Sequence, residues 1–192
     1  MGKKQTLLKA AIPLFARKGF DATTTLEIAT SAGVTEPVIY YNFRNKSDLF
    51  ATILRQTFDE YFRRLERIDV RNDCQYRQIE QLIDLHFKFL EDFPDETNII
   101  MSACPDRLRE SGHICTRLVA DQRKRLSAFI GECLTKGIAT GEFHTVDVVA
   151  VTGLIIAMLN GIMRRRALHL DELEDMREET VTFCKRGLVK NA

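Results

Sequence analysis

The sequence predicts an all-α fold: a small N-terminal helix-turn-helix module followed by a larger helical body. Three observations predict it. Apolar residues recur at helical spacing almost throughout, with no strand-like alternation. Capping residues and Gly or Pro stops divide the 192 residues into about nine helical segments. Two of the shortest segments, near the N-terminus, are joined by a turn at Gly33.

Leu8, Ala11, Ile12 and Phe15 give the first helix one apolar face, and Gly19 supplies a C-cap signal. Pro13 inside this helix predicts a bend or a tight turn, because proline lacks the N–H that the ladder needs. Thr24 with Glu27 three residues on is a capping box, which opens a second helix reaching about Ala32. Gly33 stops it. Thr35 is placed to cap a third helix running to Phe43, with Pro37 in its first turn. Asn45 and Asp48 form another cap-like pair and open a fourth, with Leu49, Ile53 and Phe62 on its apolar side. Further helices are predicted near 74–93, ending before Pro94, and between Asp95 and Cys104. A long one follows over 113–136, with a break framed by Gly137, Gly141 and Thr145. Two more cover 146–169 and 171–190.

Composition narrows the function classes. The longest apolar stretch, Val148 to Leu159, is interrupted by Thr152 and Gly153 and falls short of the about 20 residues of a membrane helix. No secretory pattern opens the chain, so the expectation is a soluble, cytoplasmic protein without a membrane partner. Five dispersed cysteines without CxxC spacing fit a reducing compartment. His113 and Cys115 form the one tight His/Cys pair, which predicts no metal site. No nucleophile elbow, phosphate loop or HExxH motif is present, so no catalytic residue, cofactor or enzyme activity is expected. Residues 1–50 carry seven Lys/Arg against four Asp/Glu, whereas the remainder carries 21 against 23. The basic tilt directs a polyanion to the N-terminal end.

A resemblance follows from specific residues. The stretch Leu14-Phe15-Ala16-Arg17-Lys18-Gly19-Phe20-Asp21-Ala22-Thr23-Thr24, then Gly33-Val34-Thr35 and Ile39-Tyr40-Tyr41-Asn42-Phe43-Arg44-Asn45-Lys46-Ser47-Asp48-Leu49-Phe50, resembles the tetracycline-repressor (TetR) family of regulators. Gly141-Glu142-Phe143, Asp147 and the apolar helix ending at Asn160-Gly161 are similar to that family's dimerisation region. Residues 60–135 match nothing specific.

The resemblance implies a DNA-binding domain over 1–50 and a ligand-sensing and dimerisation domain over 51–192. It implies a cytoplasmic repressor, associated with the nucleoid when bound to a double-stranded, pseudo-palindromic operator, and released by a small apolar or amphipathic effector. In such a module a recognition helix reads base edges while its neighbours hold phosphates. Thr24 and Thr25, where the second helix begins, suit a phosphate. Tyr40 and Lys46 are expected on backbone phosphates, with Asn42 in support, and Glu36, Pro37, Val38 and Tyr41 on base edges. Two departures from the family pattern stand out. The third helix has no Arg or Lys for a bidentate guanine contact, and Leu26 replaces the polar or basic residue of many relatives.

Two apolar stripes, Val148, Thr152, Ile155, Leu159 and Ile162, and Leu173, Met176 and Phe183, fit either an internal core or, by the resemblance, a four-helix homodimer interface. His86, Phe89, Phe93, Met101, Phe129 and Met158 are candidate effector contacts, and a filled core would show the same pattern. Arg164-Arg165-Arg166 reads as a solvated helix end. Two alternatives stay open: a thiol-based sensor of the same fold, using Cys104 or Cys115, and a helical protein-interaction module without DNA binding.

Overall fold

The structure, a computed structural model, describes residues 2–68, 74–101, 114–167 and 174–190. Cys104, His113 and Leu173 lie outside the described residues. Nine helices occupy the described residues: α1 (Lys3–Ala22), α2 (Thr25–Ser31), α3 (Pro37–Asn42), α4 (Lys46–Leu65), α5 (Gln75–Asp92), α6 (Pro94–Met101), α7 (Ile114–Ala139), α8 (Val148–Ala167) and α9 (Glu174–Leu188). One isolated antiparallel bridge, Phe143 to Val189, is the β-type pairing among them.

The chain divides into two compact units, Met1–Glu60 with Phe93–Ala120, and Tyr61–Asp92 with Asp121–Ala192. In the first, α2, α3 and α6 pack against α1. Its core is aromatic. Phe15, Phe20 and Phe50 form a triangle with ring centroids 5.1–5.9 Å apart, two of the three pairs edge to face, an arrangement favoured by the ring quadrupoles. Leu7, Leu8, Ala11, Ile28, Ile39, Phe43 and Leu49 complete it, all buried.

The expected bend at Pro13 does not occur; the backbone departs from helical geometry at Gly19 instead (φ 77°, ψ 172°). Proline deprives the Lys9 carbonyl of its donor, but Lys9 is exposed, so water satisfies it. The break falls at the glycine because a φ of 77° is strained for any residue that carries a Cβ.

In the second unit, α5 packs against α8 and α9. Tyr61 and Phe89 meet edge to face at 5.2 Å, and Arg125 lies 3.7 Å from the Phe62 ring centroid while pairing with Glu66 at 3.1 Å. The start of α5 is capped from far along the chain. The Glu142 carboxylate accepts from the backbone N–H groups of Gln75 and Tyr76, both at 2.8 Å, and from the Cys74 thiol at 3.2 Å. Free N–H groups at a helix start need such an acceptor, and the helix dipole favours its negative charge.

Gly137 does not break α7, which continues to Ala139. Its role is steric: a Cβ there would lie 2.2 Å from Phe143 Cδ2. Phe143 is fully buried, and its N–H donates to the Gly137 carbonyl at 2.9 Å. The bond from His144 N–H to Leu188 O (2.9 Å) and that from Lys190 N–H to Glu142 O (3.0 Å) fasten this loop to the end of α9.

Of the stripe residues, Thr152, Ile155, Leu159 and Ile162 are buried within the single chain, Val148 and Met176 are half-buried, and Phe183 is exposed. The exposed face of α8 carries Val149 (83% exposed) and Leu154 (68%), and on α9 Phe183 is 72% exposed. The window Val148–Arg165 is, by length and composition, long and apolar enough to cross a membrane, longer than the uninterrupted run suggested. Its inward side is the buried stripe just named.

Candidate nucleic-acid interface

The α2–turn–α3 unit is built by strong local signals. Thr24 Oγ1 accepts from Glu27 N–H at 3.2 Å, and Glu27 Oε2 accepts from Thr24 N–H at 2.8 Å, closing the capping box. Lys18 donates to the other Glu27 oxygen at 2.6 Å. That bond and the two from Thr24 hold the Glu27 carboxyl down at about 2. At the far end, Val34 N–H reaches Ala29 O (3.0 Å) and Gly33 N–H reaches Thr30 O (3.1 Å). This is a Schellman motif, and Gly33 takes its positive φ of 67°. The chain thereby turns into α3, where Pro37 sits in the first turn.

The expected Thr35 cap is not formed: Glu36 is the capping residue, without a side-chain cap bond. Its carboxylate is engaged sideways. Thr25 Oγ1 donates to Glu36 Oε1 at 2.5 Å, and the Tyr40 hydroxyl stands 3.4 Å from the same Thr25 oxygen. Since the single Thr25 proton goes to Glu36, the Tyr40 hydroxyl is the donor in the second contact. A Tyr40–Thr25–Glu36 chain therefore ties α3 to α2.

Helical geometry sets what α3 presents. At about 100° per residue, Ile39 and Phe43 point together to the core and Tyr41 points away from them. Accordingly Ile39 and Phe43 are buried, Tyr41 is 90% exposed and Tyr40 is 55% exposed. Pro37 is exposed, while Glu36, Val38 and Asn42 are half-buried. Asn42 Nδ2 donates to Val38 O at 2.7 Å, inside its own helix. On α2, Thr24 is exposed, Thr25 is half-buried, and Leu26 is 61% exposed.

Lys46 has a different setting from the one expected. Its ammonium donates to Phe20 O and Thr23 O, both at 2.7 Å, reaches Asp21 O at 3.4 Å, and lies 4.4 Å from the Phe20 ring centroid. It satisfies carbonyls at the end of α1 and locks α4 to it. The start of α4 is closed by Asn45 Oδ1 accepting from Asp48 N–H at 2.9 Å, and Asp48 Oδ2 accepting from Arg44 N–H at 3.1 Å. The pairing read from sequence is formed. Sequence reasoning did not single out the Thr25–Glu36 bond; two polar residues 11 apart carry no periodic signal.

Of the candidate effector contacts, Phe93 and Met101 belong to the first unit, and His86, Phe89, Phe129 and Met158 to the second. His86 is the most constrained. Its Nε2 lies 3.0 Å from Leu159 O and its Nδ1 lies 3.4 Å from the Tyr61 hydroxyl. A carbonyl only accepts, so Nε2 carries the proton and Nδ1 accepts from Tyr61. Burial pushes the His86 pKa down to about 4, outweighing the Leu159 carbonyl, which favours the charged form. Burial likewise raises the Tyr61 hydroxyl.

The described thiols are poor nucleophiles. Burial raises Cys133 to about 12 and Cys184 to about 11, and Cys74 is raised by burial and by Glu142. Cys115 is fully buried. A sensing thiol requires a lowered pKa and access, so these cysteines do not favour the thiol-sensor alternative. Among the described residues, no group of three or more His, Cys, Asp or Glu side chains is placed to hold a metal ion.

The fold joins a helix-turn-helix module to a helical C-terminal domain. Residues 7–53 match the family described as bacterial regulatory proteins, tetR family. The N-terminal module of the chain is thus similar to the DNA-binding module of that family. It is similar to the HTH-type transcriptional repressor KstR2 of Mycolicibacterium smegmatis, 26% identical over 142 residues, covering 74% of this chain and 68% of that protein. The ketosteroid transcriptional regulator KstR2 of Mycobacterium tuberculosis superposes with a TM-score of 0.81 at 21% identity, covering 99% of this chain and 96% of the other. The regulator FadR from Bacillus subtilis, solved with stearoyl-CoA, gives 0.77 at 20% identity, covering 93% and 96%.

Proposed function

We propose that the chain is a ligand-responsive repressor that binds a pseudo-palindromic operator as a homodimer. Residues 1–50 supply the DNA contacts and residues 51–192 the sensing and dimer contacts, and the protein acts in the cytoplasm. One observation carries the DNA-binding assignment: α3 offers Tyr40 and Tyr41 to solvent while the capping box and the Gly33 turn fix it rigidly against α2. A contiguous exposed aromatic patch on a fixed element is the kind of surface that marks an interaction site.

Tyr40 and Thr24 meet phosphates in this reading, exchanging their hydroxyl bonds to Thr25 and Glu27 for bonds to the phosphates, and Pro37, Val38, Tyr41 and Glu36 face base edges. Asn42 and Lys46 act by positioning, since both are engaged with backbone carbonyls. The dimer contact falls on the exposed face of α8 and α9, at Val149, Leu154 and Phe183, with Ala150, Gly153, Ala157 and Gly161 allowing close approach. A two-fold dimer brings two recognition helices to successive major grooves, about 34–36 Å apart.

The effector is a small apolar or amphipathic molecule. The names of the two structural neighbours, a ketosteroid regulator and a regulator crystallised with stearoyl-CoA, support that class. His86, Phe89, Phe129 and Met158, all of the second unit, are its proposed contacts. Effector binding shifts a two-state equilibrium of the C-terminal body and weakens DNA affinity by about 5- to 150-fold, the usual range of coupling.

Fluorescence anisotropy on DNA from upstream of the protein's own gene tests the reading, with Tyr40→Ala as control. Sequence-selective, salt-dependent binding that collapses in the variant is expected. Equal binding to operator-region and random DNA, unchanged in the variant, would refute it.

A further inference from the structure

Apart from Val119 on α7, the large exposed apolar side chains of the described residues fall on two pairs of helices, α2 with α3 and α8 with α9. Val149, Leu154 and Phe183 lie on the face assigned above to a second copy. Leu26, Tyr40 and Tyr41 lie on α2 and α3, next to the exposed Pro37. This second group has no dimer to cover it, and α3 carries no basic side chain.

A recognition surface without Arg or Lys lacks the commonest guanine contact, which is two N–H groups on O6 and N7. Its complement in the major groove is the one apolar group that DNA displays there, the thymine C5-methyl. Leu26, Pro37 and Tyr41, exposed on two adjacent short helices, suit that target. The remaining polar group is Glu36, whose Oε1 is fixed by Thr25 at 2.5 Å. That bond occupies one oxygen and aims the other, and a carboxylate at the groove accepts from the N4 amine of cytosine. The Tyr40 hydroxyl, 3.4 Å from Thr25, braces the same arrangement.

We propose that this module selects its half-site by apolar contact of Leu26, Pro37 and Tyr41 with thymine methyl groups, and by one acceptor, Glu36, that Thr25 holds in position to read a cytosine. The inference rests on the DNA-binding reading above and specifies its base chemistry. Thr25 is a positioning residue: it acts on DNA through Glu36. Burying one methyl group is worth about four-fold in affinity, so two or three per half-site give real selectivity.

The test uses the full chain. An operator is first selected from random duplexes, and each thymine of a half-site is then replaced singly by deoxyuridine, which removes only the methyl group. Expected is a loss of about four-fold per contacted thymine, with at least one such loss abolished in Leu26→Ala or Tyr41→Ala. In parallel, Thr25→Val should flatten the cytosine preference at one half-site position, and Thr25→Ser should restore it. A selected operator indifferent to every uracil substitution would overturn this inference and leave the DNA-binding reading intact. Failure to select any sequence would overturn both.

Discussion

His86 couples stability to pH in a way that can be worked from its surroundings. The imidazole is buried between Tyr61 and the Leu159 carbonyl, neutral, with a pKa near 4 against an ordinary value of 6.5. Between those values the unfolded chain binds a proton that the folded chain refuses. Stability is therefore fully present above about pH 6.5 and declines as pH falls through the folded pKa. At about 1.4 kcal/mol per unit, the whole shift corresponds to about 3 kcal/mol, of which about 2 kcal/mol is lost between about pH 7.5 and about pH 5. His86→Gln keeps a donor and an acceptor of similar reach and cannot titrate. Urea unfolding of both proteins at one fixed concentration, at the two pH values, isolates the effect. The native protein should lose about 2 kcal/mol more than the variant. Equal losses would refute the reasoning, since they would mean that His86 is not held neutral by burial.

Three further outcomes follow from packing. Gly137→Ala places a methyl against the Phe143 ring and should cost about 1–3 kcal/mol in chemical denaturation, much of it recovered in the double variant with Phe143→Leu. Glu142→Ala removes the acceptor for Gln75 and Tyr76 at the start of α5; a loss of about 1–2 kcal/mol is expected, measured in the same way. Leu154→Arg should convert the proposed dimer to a monomer in sedimentation while the fold is kept. Ile155→Val, one position along but buried, should lower stability by about 0.5–1.5 kcal/mol without splitting the dimer.

The parts of the molecule that were legible in sequence are those set by neighbours within one turn. Thr24 with Glu27, Asn45 with Asp48, and Gly33 are each a local signal that the structure realises as a local bond or turn. The parts that were not legible depend on residues distant in the chain. Lys46 satisfies carbonyls 23–26 positions upstream, and Glu142 caps a helix 66–67 positions away; no spacing rule anticipates either. Which face of α8 the subunit itself covers was hidden for another reason. That helix is apolar nearly all round, so Thr152, Ile155 and Leu159 share a helical period with Val149, Gly153 and Leu154. Periodicity shows that faces exist, and only packing shows which one the subunit covers. Gly137 read as a helix stop because glycine usually is one, whereas here the absent Cβ makes room for Phe143.

The central claim is that two copies of the α2–α3 surface engage one operator. Hydroxyl-radical footprinting of the full chain on its selected operator measures this most directly. The account predicts two protected windows on one face of the duplex, centred about one helical turn or a multiple of it apart, weakened together by Tyr40→Ala. A single window, or two that survive the Tyr40 substitution unchanged, would contradict it.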